Sequence, residues 1–297
     1  MKFELVHDAN VLLAETPIWD KRNKCLYWTD MLKGDIFEYD PVSGSEQTWP
    51  TGRIIGSAVP SENPGELFAA LADGMYRLDK KTKNLSLIVS PEPGNTANFH
   101  NDTRIDSEGR IFTSTLALSY LTPSYTPDQT GAFYQIERDG TVKKLLDGVN
   151  QLNCMVWNLE NTKMWVADNY NKKLLEWDYD PAQGATGTCR EVLDFNGKQG
   201  TPDGMSVDTE GNLYICHWSG KISVWDKYLN WKEDLPFPVE QVCACGFGGE
   251  DMKDFYVTSA RYNYTPEQLK DRRGAGGIFM ARSSIAGLSS HFYKGGK

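Results

Sequence analysis

Glu15, Asn101, Asn153 and Asp203 lie far apart in the chain, yet each stands four residues before the apolar anchor of a recurring segment. The six anchors are Trp19, Val59, Ile105, Trp157, Val207 and Phe247; the same offset from the other two falls on Ile55 and Cys243. If the repeats close around an axis, side chains at one offset converge on it. Two carboxylates and two amides meeting there would be costly to bury unless a cation sat between them. All-oxygen ligation suits one hard divalent metal ion, Ca²⁺, Mg²⁺ or Mn²⁺, and Zn²⁺ less well without His or Cys. Singly, each residue reads as an ordinary turn residue ahead of a strand. The shared register carries the metal reading.

The elements that must position these groups are strands. Short apolar strands run through turns rich in Asp, Asn and Gly into second strands. Examples are Arg104-Ile105-Asp106-Ser107-Glu108-Gly109 before Arg110-Ile111-Phe112-Thr113, and Ser206-Val207-Asp208-Thr209-Glu210-Gly211 before Asn212-Leu213-Tyr214. The anchors are spaced by 40, 46, 52, 50 and 40 residues, the length of a four-stranded propeller blade. Lys33 to Asp40, Gly131 to Ile136, Lys172 to Asp180 and Gly220 to Trp225 alternate polar with apolar, as half-buried strands do. The pattern predicts an all-β fold: a six-bladed β-propeller of four-stranded antiparallel blades around a central tunnel, with residues 1–297 as a single domain. Phe3 to Val6 is expected to lend a strand to the last blade. Thr265 to Arg273 is expected to form a short helical turn.

Composition narrows the partners. Forty acidic residues against 31 Lys and Arg give a formal charge of −9, which argues against nucleic acid or an anionic membrane as partner. No apolar run reaches the length of a spanning helix, and Met1-Lys2-Phe3-Glu4 does not open a secretory leader. The six cysteines form no C-x-x-C pair, so buried reduced thiols and a cytoplasmic location are expected. No helical seam suggests assembly, and a monomer is expected.

Several ordered motifs, spread over nearly the whole chain, resemble the family of regucalcin, gluconolactonase and luciferin-regenerating enzyme. They are Glu15-Thr16-Pro17-Ile18-Trp19, Asn101-Asp102 with Ile105-Asp106-Ser107-Glu108-Gly109-Arg110, Asn153, Pro202-Asp203-Gly204, and Phe247-Gly248-Gly249 with Tyr256-Val257-Thr258-Ser259-Ala260. The resemblance implies hydrolysis of a sugar-acid lactone, with Glu15, Asn153 and Asp203 as metal ligands. It also implies Asp203 as the base and Asn101 at the substrate or just outside the metal shell. Ala14 and Cys154 replace glycines usual in the family. Phe99, with His100 beside it, stands where the family commonly has a sugar-binding Arg, so a less polar substrate pocket is expected.

A cation at such a centre would polarise a lactone carbonyl and lower the pKa of water, with Asp203 as proton acceptor. No G-x-S-x-G elbow, phosphate loop or G-x-G-x-x-G offers a competing chemistry. Trp218 is a candidate to stack on the small-molecule substrate and Arg261 to bind a substrate carboxylate. Tyr120 and the loop from Pro123 to Pro127 are candidates for a lid. The alternative is a non-catalytic propeller that binds a cation or ligand. Tyr27-Trp28-Thr29-Asp30 matches a motif of low-density-lipoprotein receptor propellers, but it occurs once rather than once per blade.

Overall fold

The computed structural model, described for residues 1–122 and 127–295, contains six four-stranded antiparallel sheets. Their innermost strands are Ala14–Asp20, Ile55–Pro60, Asn98–Ile105, Leu152–Trp157, Pro202–Val207 and Val242–Gly248. Each packs against the next, and the sixth returns to the first, giving a six-bladed propeller. The ring closes with strands from both ends of the chain. Glu4–His7 pairs antiparallel with Ile278–Arg282 as the outermost strand of the last blade. Just before it, Phe3 is buried against Phe237, with ring centroids 5.0 Å apart. The helical turn expected near Thr265 is Pro266–Leu269, with a Thr265/Gln268 capping box.

The recurring phrase has two physical causes. Its anchors seal the seams between blades: Trp19 stacks on Tyr256, Trp157 meets Phe112 edge-on, and Phe247 meets Tyr214 edge-on. Such aromatic pairs add about 0.5–1.5 kcal/mol beyond their area burial. Its acidic residue ties the turn to the second strand. Asp106 accepts the backbone N–H of Glu108 and of Arg110 at 2.9 and 2.8 Å, and Asp208 accepts those of Glu210 and Asn212 at the same distances.

The tunnel register also has a structural cause. In the inner strands of blades three to six, pairing with the second strand skips two residues against one, a β-bulge. The bulges hold Asn101-Asp102, Asn153-Cys154, Asp203-Gly204 and Cys243-Ala244. In blade one, Glu15 is still paired with Thr29 and the bulge is Thr16-Pro17, with Thr16 at a φ of 48°. A bulge re-aims a side chain out of the pleat. The repeated offset in the sequence is thus a repeated bulge at one mouth of the ring.

Where bulged strands approach one another, a side chain does not fit. A Cβ on Gly56 would lie 1.9 Å from the Asn101 carbonyl oxygen. Gly56→Ala should therefore lower stability by about 1–3 kcal/mol through overpacking. Gly65→Ala, whose Cβ would find its nearest neighbour at 3.6 Å, should stay within about 0.5 kcal/mol of the parent. Denaturant unfolding of the two variants compares them directly.

Candidate metal centre

The mouth of the ring brings Glu15, Asp203 and Cys243 together: ligand atoms of the three lie within 4.8 Å of one another, all buried. Asn153 and Asn101 line the same cavity at the mouth of the ring. The Asn101 amide donates to the Leu152 carbonyl at 2.9 Å, which ties blade three to blade four. Asn153 has no side-chain hydrogen bond among the described residues. Asp203 accepts the indole N–H of Trp218 on Oδ2 at 2.5 Å, while its Oδ1 is buried without a partner. Deeper along the tunnel, Asp102 Oδ1 accepts from Ser57, the Thr103 N–H and the Arg104 guanidinium, while Oδ2 is unpartnered. Arg104 also lines a second cavity at the opposite mouth, so the Asp102–Arg104 pair stands between the two.

Burial pushes both Glu15 and Asp203 well above the usual carboxylate range. The charges of Asp203 and Asp102 raise Glu15 further, and Asp102 also raises Asp203, against the lowering effect of the Trp218 hydrogen bond. Burial, then the neighbouring Glu15 and Asp203, push the Cys243 thiol up as well. Arg104 pulls Glu15 down, against burial and two carboxylates that push it up. Unpartnered oxygens, an unbonded amide and uncompensated negative charge in one buried place are the donor set that a divalent cation would satisfy.

The cavity above this cluster has a volume of about 350 Å³. Its remaining wall is largely apolar: Leu13, Met31, Phe99, Leu116, Tyr120, Trp218 and Tyr262, with Gln151, Asn169 and Asn263 among the polar members. The Tyr262 hydroxyl donates to the Leu121 carbonyl at 2.8 Å and so joins the loops of blades six and three. Of the sequence candidates, Phe99, Asn101, Tyr120 and Trp218 stand in this wall. His100 does not: it is buried within its blade, 3.3 Å from the Thr113 hydroxyl, where burial lowers its pKa to about 4. Arg261 does not either, since its guanidinium donates to Asn10 Oδ1 at 2.8 Å. Residues 123–126 of the expected lid lie outside the described residues. Sequence reasoning passed over Cys243, which occupied the shared offset but carries no oxygen. It also missed Tyr262, which no periodicity marks.

The fold and its axial cluster of acidic and amide groups define a class, six-bladed propellers with a polar centre at one mouth. The profile described as the SMP-30/gluconolactonase/LRE-like region matches residues 13–261, and the chain belongs to that family. A Bacillus subtilis protein, provisionally named a sugar lactone lactonase, is 27% identical over 282 residues, 94% of each chain. Chicken (Gallus gallus) regucalcin is 28% identical over 281 residues, covering 94% of this chain and 93% of its own. Among solved structures, a regucalcin from Agrobacterium tumefaciens, described as calcium-binding, superposes with a TM-score of 0.90 at 22% identity. That match covers 98% of this chain and 96% of the other. A luciferin-regenerating enzyme also superposes at 0.90 and 22% identity over 99% of each chain, which shows the shared fold.

A raised folded-state pKa means that each carboxyl favours folding below its unfolded pKa, and that this contribution is lost as pH rises through the folded pKa. In chelator-treated protein at pH ~7.5, the Glu15→Gln/Asp203→Asn double variant should therefore be more stable than the parent, on the order of 1–3 kcal/mol. The advantage should shrink towards pH ~4, where the unfolded carboxyls are themselves roughly half protonated. Thermal unfolding across this range tests it; an advantage independent of pH would contradict the electrostatic account.

Proposed function

We propose that the protein hydrolyses a small-molecule lactone at a divalent cation held by Glu15, Asn153 and Asp203, with Asp203 as the base. The observation that carries this reading is the buried, unpartnered Oδ1 of Asp203 in the wall of the cavity at the mouth of the ring, which Glu15 also lines. The family description includes gluconolactonase, and the relative from Bacillus subtilis carries a lactonase name. The calcium-binding description of the Agrobacterium regucalcin supports a resident cation.

A cation bound among these donors would supply positive charge to polarise the lactone carbonyl and lower the pKa of attacking water. The chain's own part is orientation and proton transfer. Trp218 holds one oxygen of Asp203 by its indole N–H and leaves the other free to accept a proton. The Asn101 amide spends one N–H on the Leu152 carbonyl, which leaves its oxygen and its second N–H for substrate. Phe99, Leu116 and Trp218 give the bound ring an apolar bed and exclude water around the ester carbon. With Phe99 at the mouth, the site favours a lactone that turns a hydrocarbon face to this wall over one hydroxylated all round. Retention of the cation without turnover is the second reading, favoured by the name of the calcium-binding relative.

Asp203→Asn should lower kcat for lactone opening by about 10²–10⁴-fold with near-ultraviolet circular dichroism unchanged. A pH-indicator assay of acid release reads it, and absence of metal-dependent release from every lactone tried with the parent would favour the second reading. Trp218→Phe removes a hydrogen bond to the ionised base. The acidic limb of the kcat/KM profile should then move to higher pH by about one unit. Phe99→Arg should shift preference towards polyhydroxylated lactones, read as a ratio of kcat/KM values between δ-gluconolactone and an alkyl-substituted γ-lactone.

A further inference from the structure

We propose that Cys243 is a sulfur ligand of the same centre, and that it biases the site towards a thiophilic ion such as Zn²⁺ or Co²⁺ and away from Ca²⁺ or Mg²⁺. The inference rests on the cation reading above. Cys243 opens the bulge of the sixth inner strand, as Asp203, Asn153 and Asn101 open those of the fifth, fourth and third. It is fully buried, and its Sγ lies within 4.8 Å of ligand oxygens of both Glu15 and Asp203. Its other polar neighbour is the Gln241 carbonyl, at a long 3.8 Å.

The geometry suits a small ion. With metal–sulfur and metal–oxygen bonds of about 2.3 and 2.1 Å at a tetrahedral angle, the two donor atoms stand about 3.6 Å apart. Modest rotamer adjustments reach that from the present separations. Glu15, Asn153, Asp203 and Cys243 then offer four donors drawn from four blades, and expansion to a fifth place would admit the water that the lactonase reading requires. Calcium takes about 6–8 oxygens at longer distances, and a sulfur fixed in the innermost shell occupies a place that a hard ion cannot use. The unpartnered Oδ1 of Asp203 marks the same spot independently of the cysteine. The competing account is packing, because Cys243 also lies in an apolar cluster with Leu13, Phe99 and Leu116.

The test is spectroscopic and needs no substrate. The chelator-stripped protein, kept reduced with a phosphine, is titrated with Co²⁺ and separately with Zn²⁺ and Ca²⁺. The proposal expects a near-ultraviolet sulfur-to-cobalt charge-transfer band in the parent. The band should be lost in Cys243→Ser and in Cys243→Ala, and retained in Cys245→Ser. Zn²⁺ affinity should fall at least about tenfold in Cys243→Ser, with Ca²⁺ affinity changing much less. Cobalt bound with only d–d bands in the parent would overturn the sulfur ligand and leave the oxygen centre standing. Failure of every ion to bind would remove the centre itself. The parent spectrum decides the point even if a variant folds poorly.

Discussion

Like charges buried together at the axis of the ring set the terms for the rest of the molecule. Glu15 and Asp203 reach each other from blades one and five, with Asp102 close behind, and Arg104 offsets part of the repulsion at Glu15. Such an arrangement is unfavourable on its own account and persists because the surrounding β-structure holds it. Six blades, their aromatic seams and the Asp-tied turns form a frame rigid enough to keep carboxylates where they repel. A cation placed there would convert the conflict into binding energy, which is why the polarity of the tunnel mouth, rather than its shape, directs the functional reading.

Much of this arrangement was legible in the chain. The blade count followed from anchor spacing, because each anchor fills an equivalent seam and equivalent seams need similar apolar side chains. The convergence of Glu15, Asn101, Asn153 and Asp203 followed from a fixed offset, which in blades three to five proves to be a repeated bulge rather than a simple strand end. Blade one shows where that logic loosens, since its bulge is displaced by one residue and held by the left-handed Thr16. Cys243 stood in plain view at the offset and was set aside by a rule about oxygen donors.

Other parts were not legible, for physical reasons. The loops that roof the cavity follow no period, so the contribution of Tyr262 and the outward turn of Arg261 depend on a single tertiary contact each. His100 is next to Asn101 in sequence, but alternation along a strand turns it into the blade while its neighbours face the tunnel. The indole of Trp218 reaches Asp203 because the second strand of blade five ends at the mouth; sequence proximity of a Trp to a His says nothing of that.

The strand borrowed from the start of the chain has a consequence for how the centre comes into being. Glu15 follows that strand by only a few residues, whereas Asp203 and Cys243 belong to the last third of the protein. Glu15 can meet Asp203 and Cys243 only when the first blade docks onto the sixth, so assembly of this cluster requires a long-range closure of the chain. An ion caught there would act as a clasp across the joint between beginning and end, and its removal would then loosen the ring at its seam.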